Sequence, residues 1–127
     1  MVRYYLGIGH EKAAHFADLA ALAAQCLGEL QVSAAEIVTV ASIDRRREAG
    51  LVAALAGQLG TEARYFTAGE LEAETPRLAN PSEELFRRLG CHGVAEAAAL
   101  AAAGPGGVLV LPKTIGKGAT CAIARAG

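Results

Sequence analysis

Hydrophobic and polar positions along the chain alternate between two spacings, and this alternation predicts the secondary structure. Apolar, β-branched runs of strand length begin near Val2, Ile37, Ala63, Val108 and Ala119, and glycine, proline or polar clusters bound them. Between these runs, apolar residues recur three or four positions apart, which is the spacing of an amphipathic helix. The predicted helices cover residues 13–30, 47–59, 84–89 and 94–103.

Residues typical of helix ends sharpen several of these boundaries. Thr67 is placed to cap a short helical turn, and Gly60 is placed to end the second helix. The segment Asn80-Pro81-Ser82-Glu83 offers a capping residue, a proline for the first helical position and an acid for the first turn. We therefore expect Asn80 to cap the helix at residues 84–89.

The order of the elements predicts a three-layer α/β/α fold with a mixed, mostly parallel five-stranded sheet. Strand–helix–strand units close in a right-handed sense and place helices on both faces of a parallel sheet. Residues 112–118, between the last two predicted strands, are too few for a crossover helix, so the last strand is expected to run antiparallel to the fourth. We expect residues 1–127 to form a single domain, because a chain of this length buries one sizeable core.

Composition and charge exclude several classes of protein. The net charge of −1 gives no overall attraction to nucleic acid or to an anionic membrane surface. Charges interrupt the alanine-rich stretches too often for a membrane span, and the first residues lack the apolar segment of a secretory signal. Cys26, Cys91 and Cys121 are odd in number and have no Cys-x-x-Cys spacing, so we interpret them as buried apolar residues. We expect a cytoplasmic protein that binds neither nucleic acid nor a membrane.

Candidate ligand-binding residues lie where the predicted strands end, because ligands of an open parallel sheet bind beyond the carboxyl ends of its strands. The first strand is expected to end in a glycine turn at residues 7–9, the second at Ala41 and the fourth at Leu111. The candidates in the loops that follow are Gly7, Gly9, Ser42, Asp44, Arg45, Arg46, Pro112, Lys113, Thr114 and Lys117. Arginine suits a polycarboxylate ligand, since it binds a carboxylate through paired hydrogen bonds.

Each of these features also has a purely structural interpretation. Gly7-Ile8-Gly9 lacks the third glycine of a dinucleotide-binding fingerprint, because Lys12 stands at that position, and it also fits a tight turn between a strand and a helix. The arginines at 45–47 also fit a solvated run of charge. His10 and His15 are five positions apart and do not form a metal-ligand motif, so we expect neither a metal ion nor a cofactor. No motif in the sequence identifies a reaction.

Several segments, taken in chain order, resemble one known family. They are Gly7-Ile8-Gly9, Ala41-Ser42-Ile43-Asp44, residues 65–71, Asn80-Pro81-Ser82-Glu83, residues 94–100, Leu111-Pro112-Lys113-Thr114 and Ala122-Ile123-Ala124-Arg125. Together they resemble the CobE family, which is similar to the C-terminal domain of the cobalamin biosynthesis protein CbiG. The resemblance covers nearly the whole chain. It implies an α/β/α domain that acts at the precorrin or corrin-ring stage of cobalamin (vitamin B12) biosynthesis.

The first loop departs from the pattern of that family. Family members commonly have a cysteine, paired arginines and another glycine after the first glycine turn, whereas this chain continues as His10-Glu11-Lys12-Ala13. A role that needs that thiol or those guanidiniums is therefore not carried over. Ser42-Ile43-Asp44 and Pro112-Lys113-Thr114 are retained, and Arg46 stands where the family usually has lysine.

The resemblance and the basic loops together favour a protein that binds a tetrapyrrole. Precorrin and corrinoid intermediates are partly apolar macrocycles fringed with acetate and propionate carboxylates. An apolar floor with a rim of Arg45, Arg46, Lys113 and Lys117 would suit such a ligand. In this hypothesis the protein is a carrier that holds an intermediate between enzymes, and Ser42 and Asp44 orient the rim.

Two other hypotheses remain open at the level of sequence. In the second, the protein is a hydrolase or rearrangement enzyme in which Asp44 or His10 transfers protons and Lys113 stabilises developing negative charge. In the third, it is a scaffold that docks onto another cobalamin-pathway enzyme and contacts no ligand, through an apolar face formed by Tyr65, Phe66 and the alanine-rich helices.

Overall fold

A computed structural model describes residues 2–126 of the chain and contains one five-stranded sheet. The strands are β1 Tyr4–His10, β2 Ile37–Ile43, β3 Glu62–Phe66, β4 Val108–Gly116 and β5 Ala119–Arg125. Their order in the sheet is β3-β2-β1-β5-β4. Strand β1 is parallel to β2, and β2 to β3, whereas β5 lies between β1 and β4 and is antiparallel to both. The predicted mixed sheet with an antiparallel last strand is confirmed.

Helices cover both faces of this sheet, which confirms the three-layer prediction. The helices are α1 Phe16–Leu30, α2 Leu51–Leu59, α3 Ala68–Glu72, α4 Glu83–Leu89 and α5 Ala95–Ala103. On one face, α1 and α2 share an apolar core with Leu6 and Ile8 of β1. On the other face, α3 and α5 pack together over the sheet around Ala41 and Phe66. Adjacent strand residues point to opposite faces, which is why Val40 and Ala41 belong to different cores.

The expected glycine turn after the first strand is wrong, because Gly7-Ile8-Gly9 lies inside β1. A methyl group at Gly7 would overlap the carbonyl oxygen of Ala95 and would lie 2.8 Å from the amide nitrogen of Ala99. Helix α5 therefore packs directly on the backbone of β1. The glycine is required by this close approach of helix to sheet and not by a turn.

Strands β2 and β4 both extend beyond their predicted ends. Strand β2 runs on to Ile43, and Ser42 is fully buried within it, where its hydroxyl donates a hydrogen bond to the carbonyl oxygen of Ile8 at 2.6 Å. Strand β4 runs on to Gly116, so Pro112-Lys113-Thr114 lies in an irregular stretch of an edge strand and not in a loop. Proline is tolerated there because its nitrogen has no neighbouring strand to donate to.

The predicted helix ends are confirmed at some positions and wrong at others. Thr67 caps α3 by accepting a hydrogen bond from the amide of Glu70 at 3.1 Å, and Gly60 ends α2 with a φ of 77°. The helix predicted at 47–59 begins only at 51, because residues 44–49 form a 3₁₀ helix. Ser82, not Asn80, caps α4.

Candidate functional site

A cleft of about 230 Å³ opens at the carboxyl end of β1. Its walls come from the end of β1, the segment after β2, helix α4, the start of α5 and the turn that joins β4 to β5. The backbone ties two of these walls together, since the amide of Glu11 donates to the carbonyl oxygen of Gly118 at 2.9 Å. The cleft therefore lies at the sheet edge where the sequence predicts a ligand.

Basic side chains from three separate elements line this cleft. They are Arg46 from the 3₁₀ helix after β2, Arg88 from α4 and Lys113 from β4. None of the three forms a salt bridge with a carboxylate of residues 2–126. Arg46 instead donates a hydrogen bond from Nε to the carbonyl oxygen of His10 at 2.9 Å. The cleft thus presents positive charge that no carboxylate of the described chain neutralises by direct pairing.

Glu96, in the first turn of α5, also lines the cleft and is only 3% exposed. Its carboxylate accepts hydrogen bonds from the amides of Ala79 and Asn80, at 3.0 and 2.9 Å, and from the Asn80 side chain at 2.9 Å. A fourth comes from the amide of Lys113 at 2.8 Å. This carboxylate joins three chain segments that are far apart in sequence.

The same four hydrogen bonds decide the protonation state of Glu96. Burial alone would raise its pKa, but the bonds from Lys113, Asn80 and Ala79 outweigh burial and hold the pKa below its ordinary value. The carboxylate is charged at neutral pH, and its oxygens are occupied by donors. Glu96 is therefore a structural anion of the cleft wall and is poorly placed to act as a base.

His10 lines the cleft with a ring that is mostly buried, at 9% exposure. Its Nδ1 lies 2.8 Å from the carbonyl oxygen of Glu11. A carbonyl only accepts hydrogen bonds, so Nδ1 carries a proton, and in the neutral ring Nε2 bears the lone pair. Within residues 2–126, Nε2 of His10 is the buried side-chain nitrogen or oxygen atom that has no hydrogen-bond partner. Such an atom marks a place where a ligand gains a contact.

Apolar side chains complete the cleft and extend outside it. Leu85 and Leu89 of α4 face it on one side, and Ile115 of β4 lies on another with 74% of its surface exposed. An exposed isoleucine beside basic residues offers a surface for a partly apolar, partly anionic ligand.

Helix α4 is held in place by a second polar cluster next to the cleft. The Nδ1 atom of His92 lies 2.8 Å from Oε2 of Glu72, and Nε2 lies 3.3 Å from Oε1 of Glu83. The His92 ring stacks on Phe86 with the ring centroids 4.4 Å apart. The cluster joins α3, α4 and the loop before α5.

Within this cluster, His92 and Glu72 shift each other's pKa. The hydrogen bond to Glu72 is the main cause that raises the pKa of His92 above its ordinary value. The same bond is the main cause that lowers the pKa of Glu72. The charged pair is therefore favoured over the neutral pair around the middle of the pH scale.

Of the residues that the sequence singles out, four line the cleft. These are Gly9, His10, Arg46 and Lys113. The glycine is explained by packing, since a methyl group there would lie 2.7 Å from the Thr120 hydroxyl oxygen.

The other predicted residues lie outside the lining of the cleft. Gly7 is covered by α5, and Ser42 is buried in β2. Four further predicted residues are exposed and do not line the cleft: Asp44, Arg45, Pro112 and Lys117. The hydroxyl of Thr114 donates to the carbonyl oxygen of Pro112 at 3.1 Å.

Five polar residues that line the cleft lie outside the predicted set, namely Glu11, Asn80, Arg88, Glu96 and Thr120. Arg88 resembles an ordinary surface charge, and Asn80 resembles a helix cap. Glu96 carries a usable signal, because it is the one charged residue in the alanine-rich α5 and lies among buried neighbours. A lone charge in a buried helix needs partners, and here those partners build the cleft.

The remaining candidate features do not form a site in the described part of the chain. Cys26, Cys91 and Cys121 are buried thiols, as predicted. Phe66 is buried, and Arg47 lies over the ring of Tyr65 at 4.5 Å, so this aromatic pair forms no open apolar face. Residues 2–126 contain no group of three or more His, Cys, Asp or Glu side chains arranged to hold a metal ion. None of the helices described combines the length and apolar character needed to cross a bilayer.

Comparison with known proteins adds a family to this geometry. The family described as cobalamin synthesis G C-terminus matches residues 4–124. Protein CobE from Sinorhizobium sp is 42% identical over 119 residues, which make up 94% of this chain and 77% of that protein.

Solved structures agree with this match. The crystal structure of CobE, a protein from the cobalamin (vitamin B12) biosynthetic pathway, superposes with a TM-score of 0.88 at 36% identity and covers 98% of this chain and 90% of that one. A putative cobalamin biosynthesis protein G homolog from Sulfolobus solfataricus superposes with a TM-score of 0.77 at 25% identity. The match covers 99% of this chain but 37% of that longer chain.

Proposed function

The chain belongs to the cobalamin synthesis G C-terminal family and is a cobalamin biosynthesis protein, and from this premise we propose that it binds a polycarboxylate tetrapyrrole intermediate in the cleft. The ligand is a precorrin or corrinoid of the corrin-ring stage. The protein acts in the cytoplasm as a carrier that holds the intermediate and hands it to the next enzyme of the pathway.

The observation that carries this proposal is the convergence of Arg46, Arg88 and Lys113 on one cleft beside exposed apolar surface. Three cations from different elements meet there without a carboxylate of residues 2–126 to pair with them. Guanidinium groups bind carboxylates through two parallel hydrogen bonds, and lysine adds a point charge. Apolar contact for the face or edge of a macrocycle comes from Leu85, Leu89 and Ile115.

The position of the cleft also supports the proposal. It lies at the carboxyl end of β1, where ligands of open parallel sheets bind. The segment Gly93-Val94-Ala95 at the start of α5 lines the cleft as well, and the positive end of a helix favours an anion.

The test is a titration of the purified protein with hydrogenobyrinic acid, a corrin fringed with free carboxylates, followed by absorbance and calorimetry. We expect saturable binding that weakens as salt is added, because salt screens charge pairs. The double variant Arg46→Gln/Arg88→Gln should bind at least about ten-fold more weakly, since each lost charge-assisted hydrogen bond contributes roughly 1.5–3 kcal/mol.

The matched control is Arg64→Gln/Arg87→Gln. It removes the same amount of charge from two exposed positions that do not line the cleft. We expect it to bind like the wild type. Equal loss of affinity in the two double variants would mean that net charge and not the cleft determines binding. Failure of the wild type to bind any corrin acid or precorrin would contradict the carrier function and point to a protein partner.

A second candidate function is favoured by one specific observation. His10 and Lys113 line the same cleft, and Nε2 of His10 has no partner within the described residues. That arrangement suits a hydrolase or rearrangement enzyme in which His10 transfers a proton and Lys113 stabilises negative charge. Asp44, the other candidate acid or base, lies outside the cleft lining. Slow conversion of the bound pigment, abolished by His10→Gln, would support this function over the carrier.

A further inference from the structure

We infer that the cleft takes a single carboxylate arm of the ligand while the macrocycle stays outside, and that His10 gains a proton when that arm binds. This inference rests on the proposed tetrapyrrole-binding function and specifies how the ligand is held. It identifies the arm as an acetate-type or propionate-type side chain and His10 as its innermost contact.

The volume of the cleft limits what enters it. At about 230 Å³ it is smaller than the roughly 300–1,000 Å³ of pockets that enclose drug-sized molecules. A corrin with its acetate and propionate arms is larger than a drug-sized molecule, so it does not fit into the cleft as a whole. A short acid side chain does fit, and the exposed Ile115 at the mouth then contacts the ring.

The charges around His10 suit a carboxylate in that space. The charged groups that line the cleft are Glu11, Arg46, Arg88, Glu96 and Lys113. Glu96 is already bonded to four neutral N–H groups, which stabilise its negative charge without cancelling it. Glu11 is exposed and lies beside the opening. Arg88 is exposed as well, whereas Arg46 and Lys113 are partly buried. Three cations and two carboxylates leave the lining with an excess of one positive charge, which favours an anionic ligand.

Because of the tautomer that His10 adopts, binding of an anion favours uptake of a proton by the ring. Nδ1 donates to the carbonyl oxygen of Glu11, so a neutral ring presents a lone pair at the buried Nε2. A lone pair repels a carboxylate oxygen, whereas a protonated Nε2 donates a charge-assisted hydrogen bond to it. Carboxylate binding and protonation therefore favour each other, as linkage requires. The proton comes from the solvent, and no covalent bond forms or breaks.

The experiment measures this proton directly. Hydrogenobyrinic acid is titrated into the wild-type protein by calorimetry near pH 7, in HEPES and in Tris buffer at equal ionic strength, because the ionisation enthalpies of these two buffers differ. The difference between the two apparent binding enthalpies, divided by the difference between the two ionisation enthalpies, gives the number of protons taken up. We expect net uptake of up to about one proton, because one imidazole is involved.

His10→Gln and His15→Gln form the matched pair of variants. His15 is exposed at the start of α1 and does not line the cleft, so its variant should show wild-type affinity and proton uptake. His10→Gln should lose the proton uptake and bind about ten-fold more weakly. Cobinamide, a corrin whose ring side chains are amides, should bind the wild type more weakly and without proton uptake.

The outcomes separate this inference from the proposed function. If the wild type binds the corrin acid but takes up no proton, and His10→Gln binds equally well, the inference is overturned and the carrier function stands. If the wild type binds no corrin acid, both are overturned. Should His10→Gln fail to fold, ¹⁵N spectra of the wild-type imidazole with and without ligand replace the variant. Protonation of Nε2 on binding supports the inference, and an unchanged neutral ring contradicts it.

Discussion

The two faces of the sheet are covered by helices of different bulk, and they serve different purposes. Helix α1 brings leucines and a cysteine to its face and builds a large side-chain core with α2. Helix α5 is almost entirely alanine and lies against the backbone of β1 at Gly7. We call the side of the sheet covered by α1 and α2 the bulky face, and the side covered by α3 and α5 the slim face. The bulky face stabilises the fold by burying large apolar side chains. The slim face brings the start of α5, with Glu96, close to the end of β1, and the cleft forms there.

The largest predicted effect comes from Gly7→Ala, which breaks the close contact on the slim face. The added methyl group meets backbone atoms of Ala95 and Ala99, and backbone moves less readily than the end of a side chain. We expect a loss of about 3 kcal/mol or more in the free energy of unfolding, at the upper end of overpacking effects. Urea unfolding followed by circular dichroism measures it. An unchanged midpoint would mean that α5 does not lie on β1 as described.

Glu96→Gln should have the next largest effect, because it removes the anion that joins the cleft walls. One carboxylate oxygen becomes an amide NH2 group, a donor that faces other N–H donors and cannot accept their hydrogen bonds. We expect destabilisation of about 2 kcal/mol at neutral pH. The pKa of Glu96 is lowered by folding, so its contribution is present above its ordinary value of 4.5 and lost as pH falls through the lower folded value.

The control for that variant lies on the bulky face. Glu29→Gln changes an exposed carboxylate of α1 whose side chain is paired with Gln25 at 3.3 Å. Its unfolding free energy should change by less than about 0.5 kcal/mol. Equal losses of stability in the two variants at neutral pH would show that the four hydrogen bonds of the buried Glu96 carboxylate do not hold the cleft walls together.

The His92 cluster should produce a smaller, pH-dependent effect, since its side chains are partly open to solvent. The pKa of His92 is raised, so its contribution is complete below its ordinary value of 6.5 and is lost as pH rises through the folded value. The pKa of Glu72 is lowered, so its contribution is present above 4.5 and lost as pH falls. The pair therefore stabilises most between about pH 4.5 and 6.5.

The free energy of unfolding of the wild type and of His92→Gln, measured across this pH range, gives the contribution of the His92–Glu72 pair to stability. We expect the stability difference between them to be largest within the window and to shrink above neutral pH. His15→Gln is the control, because His15 is exposed and its side chain does not cap α1. A stability difference that stays constant across the pH range would contradict the ion pair.

Gly28→Ala should have the smallest effect, and its sign should be opposite to that of Gly7→Ala. Gly28 lies on the exposed side of α1, and a methyl group there would meet no atom within 4 Å apart from its chain neighbours and the nearby backbone of its own helix. Alanine should stabilise the helix by roughly 0.5–1 kcal/mol. Thermal unfolding measures this gain. A destabilised Gly28→Ala would contradict the open, helical environment described for Gly28.

Local patterns in the sequence predict much of the fold but not the contact between α5 and β1. The antiparallel last strand follows from a connection too short for a crossover. The glycines of β1 lead to the wrong prediction of a turn. A glycine that allows close packing and a glycine that allows a turn cannot be distinguished from the sequence alone. Only the distant approach of Ala95 to Gly7 distinguishes them.

The candidate site follows the same rule. His10 and Arg46 are found because the ends of β1 and β2 meet at one sheet edge, whereas Lys113 reaches the cleft from the irregular stretch within β4. Arg88 and Glu96 join them through packing of α4 and α5, which no spacing along the chain encodes. Ser42 is polar but buried, since the carbonyl oxygen of Ile8 accepts a hydrogen bond from its hydroxyl, and this contact cannot be predicted from the sequence.

We expect the ligand to bind on the slim face and not on the bulky one. Amide chemical shifts of ¹⁵N-labelled protein, followed during titration with hydrogenobyrinic acid, distinguish the two faces residue by residue. We predict that the largest changes fall on the cleft amides of Gly9, Gly93 and Gly118, and that those of Gly28 and Gly57 on α1 and α2 do not move. Changes centred on α1 and α2, with the cleft amides unaffected, would contradict binding in the cleft.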